Sequence, residues 1–222
     1  MTEFRNDIHA TDSQRFLVVL DVDSTLIENE VIELIAAEAG SLELVTAVTE
    51  RAMRGELDFA ESLRERVATL AGLPESVFDT VRGQITVTRG AEELITSVKS
   101  HGGHVGVVSG GFHELLDPLA ENLGLDFWKA NRLEVVDGIL TGKVLGDIVD
   151  AQTKADTLAA WAQETNTPLA QTVAIGDGAN DLTMMSVAGL GIAFCAKPIV
   201  QEHADVALNE RDLSKALALF GL

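Results

Sequence analysis

Short apolar runs rich in β-branched residues recur along the chain at 16-FLVVL-20, 104-HVGVVS-109, 172-TVAIGD-177, 190-LGIAF-194 and 205-DVAL-208. Between most of them the apolar positions take helical spacing, as in 90-GAEELITSVKSHG-102, 113-HELLDPLAENLG-124, 154-KADTLAAWAQET-165 and 181-DLTMMSVAG-189. Strands alternating with helices predict an α/β fold, a Rossmann-like parallel sheet with helices on both faces. Sheets of this kind bind ligands beyond the carboxyl ends of their strands. The polar residues that follow each apolar run are therefore the ones to read for chemistry.

Two segments break the alternation. Residues 30–87 are almost wholly helical in pattern, with glycines closing the helices, and no strand-like run intervenes until 84-QITV-87. This predicts a small helical cap inserted into a core made of residues 16–29 and 88–222. Within residues 125–150, Asp137-Gly138 stands between alternating residues, which predicts a β-hairpin flap. Residues 1–15 are expected to form a flexible polar arm.

Composition narrows the class. With 222 residues, 46% of them hydrophobic, the chain suits one globular core with or without a small insertion. Against 35 Asp and Glu there are 16 Lys and Arg, a formal charge of -19. Such a field opposes phosphate backbones and anionic lipid, so no nucleic-acid partner is expected, and each Lys or Arg near a motif becomes informative. The single cysteine, Cys195, reads as a packed thiol at a strand end. No export pattern opens the chain and no apolar run reaches membrane-spanning length, so no membrane partner and a cytoplasmic address are expected. Nothing in the sequence distinguishes monomer from homodimer.

The chemistry begins at 16-FLVVLDVDSTLIENE-30, where Asp21 and Asp23 crowd the end of a buried strand. If the strand continued, its period of two would put both on one side, where like charges need a cation or a shared proton. A calcium loop is excluded, because Leu26 stands where Gly is required and Ile32 where Glu should close the site. Simple helix capping by Asp23 and Ser24 is the plainer alternative. A second acidic pair, Asp177 and Asp181, flanks Asn180 in 176-GDGANDLTMM-185. Asp181 breaks the G-x-G-x-x-G nucleotide pattern, and 138-GILTGKV-144 misses the P-loop spacing. An oxygen-only donor set suits Mg²⁺. In 107-VVSGGF-112, the Ser109 hydroxyl and the backbone of Gly110-Gly111 can hold a phosphate, although an ordinary turn has the same composition. Lys154 opens a helix, where the macrodipole does not favour a cation; a solvated lysine is the alternative.

D-x-D-S-T, S-G-G, a lone Lys and G-D-G-x-N-D, in that order, resemble the haloacid dehalogenase (HAD) superfamily of phosphohydrolases. The resemblance implies a HAD-like core with Asp21 as a nucleophile that forms an aspartyl-phosphate and Asp23 as general acid, then base. It further implies Mg²⁺ held by Asp21, the backbone carbonyl of Asp23 and Asp177, with Asp181 supporting through water. Ser109, Gly110, Lys154 and Asn180 would bind phosphoryl oxygens. The Asp23 carboxyl is expected to have a raised pKa from its charged neighbour and partial burial.

The segments 21–40, 53–67, 107–112, 129–142 and 191–198 are similar, more narrowly, to the superfamily members that hydrolyse O-phospho-L-serine. That similarity implies that Glu30 meets the substrate ammonium, Arg66 its carboxylate, and Met53 and Phe59 close an apolar wall. By helical spacing Arg66 shares a face with Phe59, Ser62, Leu63 and Leu70, whereas Arg64 faces Glu61 and Glu65. A surface ion pair for Arg66 and plain core for Met53 and Phe59 are the alternatives. Bacterial members often carry an N-terminal regulatory domain, for which residues 1–15 are too few. Two other outcomes are phosphotransfer to an alcohol such as homoserine and a non-hydrolytic phospho-sensor; an acid at Asp23 counts against the sensor.

Overall fold

The computed structural model describes residues 16–222, apart from the side chain of Met53; the arm expected over residues 1–15 lies outside the described residues. Strand β1 (Leu17–Leu20) is buried throughout and pairs in parallel on both sides. Its Val18 and Leu20 enter one apolar cluster, and its Leu17 and Val19 enter another. A strand covered on both faces needs an unbroken apolar run rather than an alternating one, which is what 16-FLVVL-20 supplies.

The chain then forms α1 (Val31–Glu38), α2 (Leu42–Met53), α3 (Phe59–Ala68), α4 (Val77–Arg82) and α5 (Ala91–Ser100) before returning as β2 (His104–Phe112). There follow α6 (His113–Leu123), β3 (Phe127–Val136), β4 (Ile139–Leu145), α7 (Ala151–Glu164) and β5 (Thr172–Gly176). The last elements are α8 (Leu182–Val187), β6 (Leu190–Phe194), α9 (Pro198–His203) and β7 (Val206–Leu208). The seven strands lie in the order β4-β3-β2-β1-β5-β6-β7, all parallel except β4. From β1 the sheet first grows toward β2 and β3; β5 then starts the opposite wing. This reversal opens a crevice at the carboxyl end of β1, between β2 and β5.

Three local expectations are corrected. The run 84-QITV-87 is no strand: only Val87 pairs, in an isolated antiparallel bridge to Ile27. Around that bridge Glu28 N–H donates to Thr86 O and Thr88 N–H to Leu26 O, each at 2.9 Å, so the helical segment enters and leaves through a two-chain neck. Strand β1 stops at Leu20, so strand periodicity does not place Asp21 and Asp23. Strand β2 does not end at Ser109 but runs on to Phe112, with its register to β3 broken between Val108 and Phe112.

The hairpin forms with Asp137 at φ 50 and Gly138 at φ 76, as a primed two-residue turn requires. The two strands pair with each other over Arg132–Val136 and Ile139–Leu145, beyond the Phe127–Asn131 stretch of β3 that pairs in parallel with β2, so the hairpin projects from the end of the main sheet as the expected flap. It also carries the helical segment: Gly72 N–H donates to Leu140 O, Leu140 N–H to Leu73 O and Glu75 N–H to Gly138 O, each at 2.8 Å. At Gly142, φ 80, a Cβ would come within 2.9 Å of Ala71 Cβ, so only glycine lets the strand pack this closely. No helix among the described residues is long and apolar enough to cross a membrane.

Candidate active site

Asp21 ends β1, and its N–H donates to Ile175 O of β5 at 2.9 Å. Beyond it Val22–Leu26 forms a tight π-type turn with Ser24 at φ 57. This turn, rather than an extended strand, brings Asp21 and Asp23 to the same cavity of about 260 Å³. Asp21 Oδ1 accepts from Val22 N–H at 2.7 Å and from Lys154 Nζ at 2.7 Å. Among the described residues no hydrogen bond or ion pair reaches Asp21 Oδ2, so one carboxylate oxygen is anchored and the other is not.

Lys154 belongs to α7, whose start is capped by Asp150 through the Thr153 N–H at 2.8 Å. It is fully buried and bridges Asp21 Oδ1 and Asp181 Oδ1, each at 2.7 Å. Burial works against its charge, but Asp181 and Asp21 outweigh burial and hold the ammonium above the ordinary lysine pKa. Asp181 Oδ2 accepts from Gly178 N–H at 3.0 Å. A Cβ at Gly176 would collide with the Asp181 carboxylate, which accounts for the first glycine of 176-GDG-178.

Asp21, Asp177 and Asp181 can each present one oxygen within 4.8 Å of the others. One ammonium does not balance three carboxylates. Burial, and then the charge of Asp181, push the Asp21 carboxyl up to about 8 and the Asp177 carboxyl up to about 6. A hard divalent cation fits this oxygen-only set and would remove the excess charge.

Asp23 Oδ1 accepts from Val31 N–H at 3.4 Å. Burial holds the Asp23 carboxyl well above the usual range, with Glu30 and then Asp21 adding to the effect. Ser24 Oγ donates to Glu30 Oε1 at 2.6 Å, tying the turn to the start of α1. The Glu30 carboxyl is raised by burial, and the Ser24 hydrogen bond and the fields of Arg66 and Lys197 oppose that rise.

Helix α3 presents Phe59, Leu63 and Arg66 to the same cavity, while Arg64 is exposed. A capping box, Asp58 with Glu61, fixes the start of this helix. Arg66 Nε donates to Ser62 O at 3.2 Å, and neither terminal nitrogen of its guanidinium has a partner among the described residues. The ring of Phe59 meets Gly110, where a Cβ would stand 2.9 Å from Phe59 Cζ. Met53 closes α2, but its side chain lies outside the described residues.

Of the residues singled out in the sequence, Asp21, Asp23, Glu30 and Asp177 line the cavity with Phe59 and Arg66, and Gly110 and Asn180 complete it. Ser109, Lys154 and Asp181 are buried and do not line it. The Ser109 hydroxyl accepts from Gly111 N–H at 2.8 Å. Sequence reasoning missed two cations. Lys197 lines the cavity from beyond β6, and its position after a strand end was a signal that could have found it. Arg211 donates to Ser24 O at 3.3 Å and stands 5.9 Å over the Phe194 ring; a contact across 187 positions leaves no local trace. Cys195 is partly buried, with φ 47 and its N–H donated to Leu208 O at 2.8 Å.

Comparison with known proteins adds to this geometry. The family of haloacid dehalogenase-like hydrolases matches residues 18–186. A Streptococcus thermophilus protein named phosphoserine phosphatase is 55% identical over 203 residues, 91% of this chain and 94% of its own. A Streptomyces coelicolor protein of the same name is 58% identical over 206 residues, 93% of this chain, but this chain spans only 50% of its length. A solved structure described as a substrate-bound phosphoserine phosphatase complex has a TM-score of 0.88 at 46% identity, covering 94% of this chain and 99% of that one. A phospho-aspartyl intermediate analogue of phosphoserine phosphatase has a TM-score of 0.87 at 47% identity, covering 93% and 99%.

Proposed function

Because the chain belongs to the haloacid dehalogenase-like hydrolase family, we propose that it is a phosphoserine phosphatase, hydrolysing O-phospho-L-serine to L-serine and phosphate as the last step of L-serine biosynthesis. The observation that carries this reading is that one cavity joins Asp21 and Asp23 to Glu30 and Arg66. The first pair serves any phosphate ester. An anion beside a guanidinium with free terminal nitrogens suits the ammonium and carboxylate of an amino acid.

The mechanism follows from the hydrogen bonds. With Oδ1 anchored by Val22 N–H and Lys154, the other Asp21 oxygen attacks phosphorus as the P–O bond to the serine oxygen breaks. Asp23, kept protonated by burial and by its charged neighbours, gives its proton to the departing alkoxide. As a carboxylate it then takes a proton from the water that attacks phosphorus, which releases phosphate and restores Asp21. The Gly110 backbone and Asn180 meet the phosphoryl oxygens, and the buried Ser109 and Lys154 support that wall from behind. A divalent cation, Mg²⁺ in this reading, would be held by Asp21, Asp177 and the Asp23 carbonyl with Asp181 in support, and supplies positive charge to the phosphoryl oxygens when bound. Residues 30–87 act as a cap that excludes water, with Phe59 against Gly110 as its closing contact. A cytoplasmic setting belongs to the same reading.

The test is phosphate release by purified protein with Mg²⁺ from O-phospho-L-serine, O-phosphoethanolamine and sugar phosphates, with Asp21→Asn alongside. Phosphoserine is expected to be the best substrate, and Asp21→Asn is expected to lose on the order of 10⁴-fold in kcat. Wild-type protein inert toward phosphoserine, or an unimpaired Asp21→Asn, would overturn the reading.

A further inference from the structure

We infer that Lys197 is a second carboxylate-binding cation, holding the α-carboxylate of an amino-acid phosphate from the sheet side while Arg66 holds it from the helical segment. The inference rests on the proposed substrate and adds a residue to its recognition.

The placement of Lys197 is built into the backbone. Strand β6 ends at Phe194, and Cys195 turns in the left-handed region with its N–H tied to Leu208 O at 2.8 Å. Lys197 is then held extended, φ -62 and ψ 152, the region a following proline favours. This puts it at the carboxyl end of a parallel strand, on the cavity rim beside Ile199 and Val200 of α9.

Charge gives the rim position its meaning. Arg66 and Lys197 are the cations that line a cavity which also contains Asp21, Asp23, Glu30 and Asp177. Among the described residues Lys197 Nζ makes no ion pair and no hydrogen bond, although the chain carries 35 acidic residues against 16 Lys and Arg. The fields of Arg66 and Lys197 both act on Glu30. An amino acid carries its ammonium and carboxylate on the same carbon. With the ammonium at Glu30, the carboxylate falls beside that group, where these two cations are the available partners. Binding would thus join the helical segment to the sheet through one ligand group.

The experiment compares wild-type, Lys197→Ala and Lys197→Arg on O-phospho-L-serine and on O-phosphoethanolamine, which lacks the carboxylate. Lys197 is exposed, so melting temperatures should agree among the three. Lys197→Ala is expected to lower the ratio of kcat/KM for phosphoserine over phosphoethanolamine about tenfold, mostly through KM, the scale of one charge-assisted contact at a wet site. Lys197→Arg should recover most of the ratio, and L-serine should inhibit Lys197→Ala more weakly than wild type. Equal loss on both esters would assign Lys197 to the phosphate and overturn the inference, as would no loss on either. Wild-type protein inert toward phosphoserine would overturn the substrate reading itself, before any variant is compared.

Discussion

Lys154 Nζ stands 2.7 Å from Asp21 Oδ1, and the lysine is closed off from solvent. The same ammonium is 2.7 Å from Asp181 Oδ1, so one buried cation serves the proposed nucleophile and a carboxylate of the metal-fitting cluster at once. Lys154→Met removes that cation from beneath both. Loss of one partner from a buried charge cluster is expected to cost roughly 3–5 kcal/mol, read from urea unfolding of the metal-free protein. Activity should fall with it. A loss below about 1 kcal/mol would mean that the carboxylates take up protons instead of remaining as uncompensated charges.

The crowded carboxyls make a pH prediction. Asp21 sits at about 8 and Asp177 at about 6, both above the ordinary 3.8 of an unfolded chain. Between those limits the native protein keeps protons that the unfolded chain has released. Their contribution to stability is therefore complete below 3.8 and is lost as pH rises through about 6 and then about 8. Melting temperatures of the metal-free protein should decline across this interval. Mg²⁺ affinity should rise across it, since the ligands must deprotonate to bind. Melting curves independent of pH here would contradict the assignment.

Arg66 offers two unpartnered terminal nitrogens to the cavity. Arg66→Ala should lower kcat/KM for phosphoserine roughly 10- to 100-fold, the worth of a charge-assisted hydrogen bond or two, and should largely spare phosphoethanolamine. Arg66→Lys should rescue poorly, because a point charge does not replace a bidentate fork. Steady-state kinetics on the two esters checks both statements, and equal loss on both would indicate misfolding or a wrong assignment.

At Gly110 the helical segment touches the sheet beside the cavity. A Cβ there would stand 2.9 Å from Phe59 Cζ. Gly110→Ala should push the ring outward and raise KM several-fold, and Phe59→Leu in the same chain should relieve much of that loss. Contacting pairs of this kind show coupling of about 0.5–3 kcal/mol in a double-mutant cycle. Additive effects would show that the glycine serves the backbone alone, where its carbonyl accepts from Asn131 Nδ2 at 2.8 Å.

Hydrophobic pattern and strand-end chemistry are local, and that is why Asp21, Asp23, Ser109 and Asp177 could be picked out as polar residues following apolar runs. The same rule applied to 190-LGIAF-194 reaches Lys197, three residues past the strand end and beyond Cys195. The hairpin turn was legible because Asp-Gly favours positive φ at both positions, whereas the strand suggested at 84-QITV-87 had no neighbour to pair with beyond Ile27.

The sequence by itself determined the α/β class, the helical insertion pattern and the residue types of a phosphoryl-transfer site, since each depends on periodicity and spacing within a few residues. Tertiary structure alone decided that β3 continues the main sheet, that Ser24 turns at positive φ under Arg211, and that Phe59 meets Gly110. It also decided that Lys154 is a buried counter-charge rather than a solvated one. Those outcomes depend on which distant segments meet and which of them exclude water. Burial sets the strength of every charge in the site, and no window of sequence contains it.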